Sequence, residues 1–562
     1  MVLEMTMLQP VQRVRSFLKS RHIAPAAGAL LGACWFLSRF GWHALSVTNI
    51  DWLMDGDWSQ HVLGFLHFRI THWGLPLGRI DTIAAPVGTN VGFTDSNPLF
   101  CLLLKPLSGI LPADFQFIGF WLFLCFVLQG VVGAWLGERI TRSKLGAVLA
   151  SIFFITSPVP DNRTYHPTLV AHFLVLLALL LHFQGNQGAF LARRRLVVGA
   201  ALVCVAAVVH PTIAVMVLAL VLALVVQLAF RGSLSKVGAL WRGAMLVVAV
   251  LAIWRSTGLI GGDELPGASG LGYFNADLAA FIHPFDYSRL IPRLPSDGGA
   301  YEGFAFLGLG TLCVGLLAPG LLASRLGRTW ALVRSHLALV LLCFGLMFLA
   351  FSVQWRVFGH QVLDLESIAK PFRPALEPFR SSGRFIWPMH YLLIVAVLFA
   401  SWRFLPLPRS VVAMAWLVAI LVQVADAKHT PVNTHRLRAD WYHLDTPVLE
   451  RLARAKTNVE LYPALVKSNG PGCDTPDWQG DILPQVVYLA YRLRLPINAG
   501  YLARSSPRHQ RSCEEQTNRA KAGTLAKDTL YIVHRKRLAD LANVPGISCE
   551  ESGYDTFGCV LN

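Results

Sequence analysis

Charged residues are scarce in this chain. Of its 562 residues, 15% are Asp, Glu, Lys or Arg, whereas 54% are hydrophobic. The mean hydropathy is +0.50. A soluble domain usually carries about 25% charged residues, so this composition excludes a chain that folds entirely in water. We therefore expect a membrane protein.

Long apolar runs are absent after Asp426, and this absence divides the chain in two. Between Ile23 and Ala425 such runs recur, and a bilayer core about 30 Å thick needs roughly 20 apolar residues per helix. We expect eleven spans, near residues 23–45, 115–137, 144–159, 168–184, 196–210, 212–230, 243–256, 304–323, 337–354, 386–401 and 410–426. The segment from Pro98 to Pro112 is interpreted as a partly inserted helix, since a full span would invert every later loop. The sequence thus predicts an all-α polytopic membrane bundle over residues 1–426 and a small soluble α/β domain over residues 427–562.

Acidic residues are outnumbered, with 33 Asp and Glu against 49 Lys and Arg, for a formal net charge of +16. Many basic residues lie in short loops between apolar runs, as in Arg193-Arg194-Arg195. This positive-inside pattern orients a membrane protein and requires no nucleic acid. It predicts a multi-pass bacterial inner-membrane protein with a cytoplasmic N-terminus. The outer loops 46–114, 257–303 and 355–385 and the C-terminal domain are then periplasmic.

The C-terminal domain differs from the bundle in its cysteines and in its predicted secondary structure. It contains four of the ten cysteines, namely Cys473, Cys513, Cys549 and Cys559. An even number in a domain expected to face an oxidising compartment predicts two disulfides, although three pairings are open. The runs 486–491 and 529–534 predict strands, and 447–455 predicts a helix.

The first outer loop contains an acidic cluster. Asp51, Asp55 and Asp57 follow the first apolar helix, where carboxylates near lipid are costly. If the helix continues, Asp51 and Asp55 share a face, and Gly56 allows a turn that presents Asp57 to the same pocket. Two adjacent carboxylates raise the pKa of one, which suits a general base. The three are therefore candidate catalytic residues, the alternative being that they cap a helix and solvate a loop.

Other polar residues are candidates for substrate binding. His61 lies one turn after Asp57, on a segment from Asp57 to Trp73 whose amphipathic pattern predicts a helix along the membrane surface. Arg380 and Arg384, in the last outer loop, suit a phosphate because the guanidinium fork matches phosphate oxygens. The alternative is that this loop binds anionic lipid headgroups. The remaining candidates in outer loops are Arg69, Asp95, His166 and Glu302.

These motifs resemble those of a known superfamily. The acidic first outer loop followed by a surface helix is similar to the GT-C superfamily of integral-membrane glycosyltransferases. More narrowly, Gly56-Asp57-Trp58, Tyr301-Glu302-Gly303 and the segment from Phe379 to Phe385 resemble an uncharacterised bacterial family of GT-C-like proteins. The resemblance covers most of the chain. It implies inverting transfer of a sugar from a polyprenyl-phosphate donor to a glycolipid or surface-polysaccharide acceptor, with an acidic residue as base.

The sequence also bears on the choice of cofactor. The chain has no P-loop or convincing dinucleotide fingerprint, in agreement with a lipid-linked donor. A divalent metal is an alternative at the acidic cluster, because Asp51, Asp55, Asp57 and His61 offer oxygen and nitrogen ligands, but their spacing defines no geometry.

The competing functions are a transporter or flippase of lipid-linked saccharides and a non-catalytic assembly protein. A transporter predicts charged residues deep within helices and related halves, and we find no internal duplication.

Overall fold

The computed structural model of the protein describes residues 22–184, 188–261, 270–428, 430–468 and 479–561. The basic residues before the first helix and Cys473 lie outside these ranges. Within them the chain is mainly helical, with a small sheet near the C-terminus.

The helices before Ala427 account for most of the structure. The first ten are α1 (Ile23–Phe40), α2 (Gly56–Ile70), α3 (Pro98–Leu104), α4 (Ile118–Thr141), α5 (Lys144–Ile155), α6 (Pro158–Asn162), α7 (His172–His182), α8 (Gly188–Val209), α9 (Pro211–Phe230) and α10 (Lys236–Thr257). The next eight are α11 (Leu309–Gly315), α12 (Ala318–Ala323), α13 (Leu326–Ser335), α14 (Leu337–Ala350), α15 (Glu366–Ala369), α16 (Arg373–Leu376), α17 (Trp387–Phe404) and α18 (Arg409–Asp426).

A helix lies at each of the eleven segments predicted to span the membrane, but their lengths differ. In the described ranges, six helices are long and apolar enough to cross a bilayer, or up to seven if the pair Leu309–Ala323 and Leu326–Ser335, bent by 99°, forms one span. Others are apolar but shorter, including Pro167–His182 and Leu337–Ala350. The apolar segment Pro98–Leu107 is also short, as expected for a partly inserted helix. The molecule is therefore a helical protein with several candidate membrane spans.

Close backbone approach joins the first long helices. A Cβ atom added to Gly28 of α1 would lie 2.3 Å from the carbonyl oxygen of Gly130 in α4, and one added to Gly32 would lie 2.2 Å from that of Phe126. Helices in lipid associate through van der Waals contact rather than the hydrophobic effect, so small residues at the crossing maximise their contact. The α1–α4 pair therefore depends on these glycines.

The C-terminal region contains three helices and most of the strands. The helices are α19 (Thr446–Leu452), α20 (Gln479–Leu493) and α21 (Pro507–Lys521). The strands in the described residues are β1 (Arg79–Ile80), β2 (Thr89–Asn90), β3 (Gln354–Val357), β4 (His360–Asp364), β5 (Asn458–Tyr462), β6 (Val466–Lys467), β7 (Gly500–Tyr501), β8 (Thr529–His534), β9 (Ile547–Glu551) and β10 (Thr556–Leu561). The main sheet has the order β5-β8-β10-β9, with β5 parallel to β8 and the other pairs antiparallel.

Two of the three elements predicted in this domain are confirmed. The strand at 529–534 is β8, and the predicted helix near 447–455 corresponds to α19. The strand predicted at 486–491 is wrong, because these residues lie inside α20. A short apolar run cannot distinguish a strand from a buried helix. Here Val486 and Leu489 are buried, as are Ile482 and Ala490, which continue the apolar side of one helix.

A disulfide closes the end of the domain. Cys549 of β9 and Cys559 of β10 face each other across the antiparallel pair and form a disulfide. This disulfide belongs to one of the three pairings that the sequence left open. Cys513 is also disulfide-bonded. The six other described cysteines are free thiols, and they lie before Asp426.

Loss of the Cys549–Cys559 bond should destabilise this domain. The bond closes a loop of 10 residues, and loop closure of this length contributes about 3 kcal/mol by restricting the unfolded chain. We expect the double substitution Cys549→Ala and Cys559→Ala to make the C-terminal domain of the full chain unfold at lower denaturant concentration. The exposed free thiol Cys34 is the matched control, and Cys34→Ala should leave the transition unchanged. An unchanged transition in the double variant would contradict the prediction.

The C-terminal domain covers residues 46–114, the segment predicted from sequence to be the first outer loop. Helix α2 is buried along nearly its whole length, from Trp58 to Arg69, and α20 packs against it. His67 Nε2 of α2 lies 2.9 Å from the carbonyl oxygen of Val487. The predicted surface-lying helix thus exists, but it is enclosed between the bundle and the C-terminal domain because its polar side chains find protein partners there.

Candidate functional site

Asp57 is held between the bundle and the C-terminal domain. Gly56 adopts φ of +48°, which favours glycine, and starts α2 so that Asp57 lies in its first turn. Asp57 Oδ1 accepts a hydrogen bond of 2.5 Å from the hydroxyl of Tyr501, which is 444 residues away in the chain. Its Oδ2 lies 3.2 Å from His166 Nε2. The Asp57 side chain remains 31% exposed, so a ligand can reach it.

His166 is a neutral neighbour of this carboxylate. Burial lowers the pKa of His166, and the nearby charge of Arg384 lowers it further, although Asp57 opposes the shift. At neutral pH the imidazole is therefore uncharged and can donate one N–H to Asp57.

A second carboxylate, Asp95, lies beside the first. Burial raises the pKa of Asp95, but His210, His61, His166 and Arg384 together outweigh that effect and lower it. The Asp95 carbonyl oxygen is 2.5 Å from His61 Nδ1, and its Oδ1 is 3.8 Å from His210 Nε2. His210 also caps α9, because its Nδ1 accepts a hydrogen bond from the Thr212 N–H.

Glu302 forms a buried ion triad with two arginines. Both carboxylate oxygens accept from Arg384, at 2.9 and 2.8 Å, in a bidentate pair. Arg163 Nη1 lies 3.3 Å from Glu302 Oε2, and its Nη2 donates to the carbonyl oxygens of Tyr301 and Glu302. Burial raises the pKa of Glu302, but the two guanidinium groups hold it well below its usual value.

Two further arginines face this triad. The guanidinium of Arg380 lies 5.4 Å over the ring of Phe274, and Arg504, from the C-terminal domain, donates to the carbonyl oxygen of Pro378. Burial lowers the pKa of Arg504, and the charges of Arg380 and Arg384 lower it further. Such juxtaposed like charges raise the energy of the protein alone and favour an anionic ligand.

We call this group the outer polar cluster. Its members are Asp57, Asp95, His166, Glu302, Arg380, Arg384, Tyr501 and Arg504. Arg384 acts electrostatically on Asp95 and on His166, and His166 contacts Asp57. Carboxylates of the first outer loop and guanidinium groups of the last one therefore meet in one place. Chemically, the arrangement offers a proton acceptor beside a group of cations.

Asp51 and Asp55 lie outside the cluster. Asp51 accepts from Arg438 at 2.6 Å and from the indole of Trp441 at 2.9 Å, and Arg438 also bridges to Asp114 at 3.1 Å. The geometry thus gives Asp51 a role in attaching the C-terminal domain to the first outer loop. Asp55 is exposed and lines a separate cleft. The three carboxylates do not share a pocket because the chain turns at Met54 to Gly56.

Arg69 also has a structural position. Its guanidinium donates to the carbonyl oxygens of Pro112 and Ala113, at 2.8 and 2.9 Å, and to those of Ser108 and Leu111. These four carbonyl oxygens accept from both Nη groups of Arg69, so neither group is left for a substrate. The residue instead holds the turn after α3.

The proposed metal ligands do not converge. Asp51, Asp55 and Asp57 face three different sets of neighbours, and His61 Nδ1 contacts the Asp95 backbone. Over the described ranges, no group of three or more His, Cys, Asp or Glu side chains is arranged to hold a metal ion.

Sequence reasoning did not identify Tyr501 and Arg504 as site residues. Both lie in a domain that appeared separate, and no local motif marks them. Their contacts depend on pairing between the C-terminal domain and the first outer loop. The N–H groups of Ala84 and Ala85 donate to the carbonyl oxygens of Ala499 and Ile497, and the Ala503 N–H donates to that of Phe93.

Comparison with known families agrees with this two-part organisation. Residues 29–428 match the model described as a domain of unknown function, DUF6311. The chain belongs to the DUF6311 family. Residues 448–559 match the separate model of the DUF6311 C-terminal domain. No curated protein matches the chain significantly. The outer polar cluster therefore draws on both parts of this family's architecture.

Proposed function

We propose that this DUF6311 protein is a membrane glycosyltransferase of the GT-C type. It transfers a sugar, with inversion, from a polyprenyl-phosphate donor to a glycolipid or surface-polysaccharide acceptor. In this proposal the chain spans the bacterial inner membrane eleven times, and the outer polar cluster and the C-terminal domain face the periplasm. The disulfide Cys549–Cys559 supports that side, because such bonds persist in oxidising compartments.

One observation carries the proposal. An accessible carboxylate, Asp57, contacts His166, and His166 lies within the electrostatic reach of Arg384, which also acts on Arg504 together with Arg380. A glycosyl transfer from a phosphate donor needs a base for the acceptor hydroxyl and cations for the leaving phosphate.

In this proposal the reaction is an inverting displacement at the anomeric carbon. The acceptor hydroxyl oxygen forms a bond to the anomeric carbon while its proton passes to Asp57. The bond between the anomeric carbon and the phosphate oxygen breaks, and its electron pair stays on the phosphate. Tyr501 and His166 orient the Asp57 carboxylate through its two oxygens.

The arginines divide into two roles. Arg384 forms a bidentate pair with Glu302. It therefore stabilises the cluster and contributes positive charge without direct contact to the phosphate. Arg380 and Arg504 lie close enough to affect each other's charge, one in the segment 355–385 and one in the C-terminal domain. We assign the donor phosphate to these two residues, since paired guanidinium groups suit phosphate oxygens.

Reconstitution tests the proposal directly. The full chain in proteoliposomes is supplied with labelled polyprenyl-phosphate sugars and a cell-envelope glycan fraction. A new glycosidic bond supports the proposal, as does accumulation of a lipid-linked precursor in a deletion strain. Movement of the lipid-linked saccharide across the vesicle without a new bond would support the transporter alternative. Neither transfer nor movement would favour an assembly role.

Arg504→Ala should weaken donor binding. Loss of one charge-assisted contact to phosphate costs about 1.5 to 3 kcal/mol, so we expect the KM for the donor to rise at least about tenfold. Arg504→Lys keeps the charge but not the planar guanidinium fork, so its donor KM should lie between those of the wild type and Arg504→Ala. Arg451→Ala removes an exposed arginine of the same domain, paired with Glu550, and should behave like the wild type. An unchanged donor KM in Arg504→Ala would remove this residue from the phosphate site.

A further inference from the structure

A polar cleft separate from the outer polar cluster lies between the first outer loop and the C-terminal domain. Its volume is about 280 Å³. The outer loop contributes Asp55, and the C-terminal domain contributes Arg436, Asp440, His443, Gln485 and Tyr554. The volume is near the lower limit of roughly 300 Å³ for small-molecule sites, which suits one or two sugar rings.

The cleft is held in shape by its own contacts. Arg436 donates to the carbonyl oxygen of Met54 at 3.0 Å and so joins the two walls. The Oε1 atom of Gln485 accepts from the His443 N–H at 2.8 Å. Asp440 accepts from the Leu437 N–H at 2.8 Å. A preformed cleft loses little conformational entropy when a ligand binds.

The lining has the chemistry of a saccharide site. A sugar ring carries hydroxyl groups that both donate and accept, and a face of C–H bonds. The exposed Asp55 carboxylate can accept from hydroxyls, because no hydrogen bond or ion pair to it occurs in the described part of the chain. The exposed rings of His443 and Tyr554 stack with centroids 5.5 Å apart and planes 21° apart, so aromatic surface for C–H contact borders the cleft.

The charge of the cleft limits the kind of sugar. Asp55 and Asp440 are two carboxylates, and Arg436 is one cation. The excess of negative charge disfavours uronic acids and other anionic sugars. A neutral hexose or N-acetylhexosamine fits this balance.

The cleft is also next to the proposed base. Asp55 and Gly56 line it and directly precede Asp57. Pro484 lines both this cleft and a narrow crevice whose wall includes Tyr501, the residue that donates to Asp57. A saccharide in the cleft would therefore end close to the carboxylate that removes its proton.

We infer that this cleft binds the neutral saccharide end of the acceptor, a role that rests on the proposed transferase function. The C-terminal domain then selects the acceptor as well as covering the first outer loop. Asp55, from the acidic cluster, acts in acceptor recognition and Asp57 in proton transfer.

Direct binding tests the inference without any turnover. The full chain in lipid nanodiscs is titrated calorimetrically with neutral di- and tetrasaccharides and with a uronic-acid disaccharide. We expect binding of at least one neutral saccharide and none of the uronic acid. His443→Ala and Tyr554→Ala should each weaken that binding at least about tenfold. Tyr554→Phe, which keeps the ring, should lose less than about threefold. His360→Ala, an exposed histidine of β4 outside the cleft, should bind like the wild type.

The outcomes separate the two proposals. If no neutral saccharide binds, or if Tyr554→Ala binds as well as Tyr554→Phe, the cleft is not the acceptor site. If saccharides bind with the expected variant pattern but no donor is cleaved, the transferase function fails and a saccharide-binding cleft remains. If donor transfer occurs and the cleft variants leave the acceptor KM unchanged, the transferase stands and this inference fails.

Discussion

Replacement of Asp57 by asparagine is expected to reduce the transfer rate by about 100- to 10,000-fold, the usual contribution of a positioned general base. The amide keeps the shape of the side chain and can still accept from the Tyr501 hydroxyl, so the fold should persist. It cannot take the acceptor proton. The loss should therefore appear in kcat, with the donor KM nearly unchanged.

The measurement is initial transfer rate in proteoliposomes, with thermal unfolding recorded on the same preparation. Asp286→Asn is the matched control, because Asp286 is an exposed carboxylate whose ion pair in the described part of the chain is with the exposed Arg293. It should retain wild-type rates. If Asp57→Asn is folded and transfers at more than about a tenth of the wild-type rate, Asp57 is not the base.

Replacement of Glu302 by glutamine should destabilise the protein by about 3 to 5 kcal/mol, the range for breaking a buried ion pair. Glu302 has a side chain only 7% exposed and neutralises both Arg163 and Arg384. The neutral amide would leave two desolvated guanidinium groups without a counter-charge. We expect a clear fall in the unfolding temperature of the purified protein.

The control for this change is Glu366→Gln, which removes a half-exposed partner of Arg373 and should cost less than about 1 kcal/mol. The effect also depends on pH. Because the folded protein lowers the pKa of Glu302, its stabilisation is present above the unfolded value of about 4.3 and is lost as the pH falls toward the folded value. The difference between Glu302→Gln and the wild type should therefore shrink below about pH 4. A constant difference would contradict the ion-triad explanation.

The Asp57 variant tests the structural idea that the site is shared between two parts of the chain. Asp57 is oriented by Tyr501 of the C-terminal domain, and Arg380 faces Arg504 of that domain. Asp51 attaches the same domain through Arg438 and Trp441. The domain boundary near Asp426 is visible in composition, but the candidate site extends across it.

Several features followed from sequence alone because they depend on local or periodic properties. Apolar runs predicted where helices lie, since burying backbone groups in lipid requires helices whatever the neighbours are. The β8 strand, α19 and a disulfide in the C-terminal domain also followed from local pattern and compartment. Asp57 was singled out because carboxylates beside a membrane are costly and tend to have a purpose, and Arg380 and Arg384 because guanidinium groups match phosphate oxygens.

Tertiary structure decided what each polar residue contacts. The sequence could not separate Asp57 from Asp51 and Asp55, because one turn of chain sends the three carboxylates to different neighbours. It could not reveal that Arg384 is paired with Glu302, or that α20 covers α2. These contacts join residues tens to hundreds of positions apart. Local propensity carries no information about such pairings, since they exist only once the bundle and the C-terminal domain pack together.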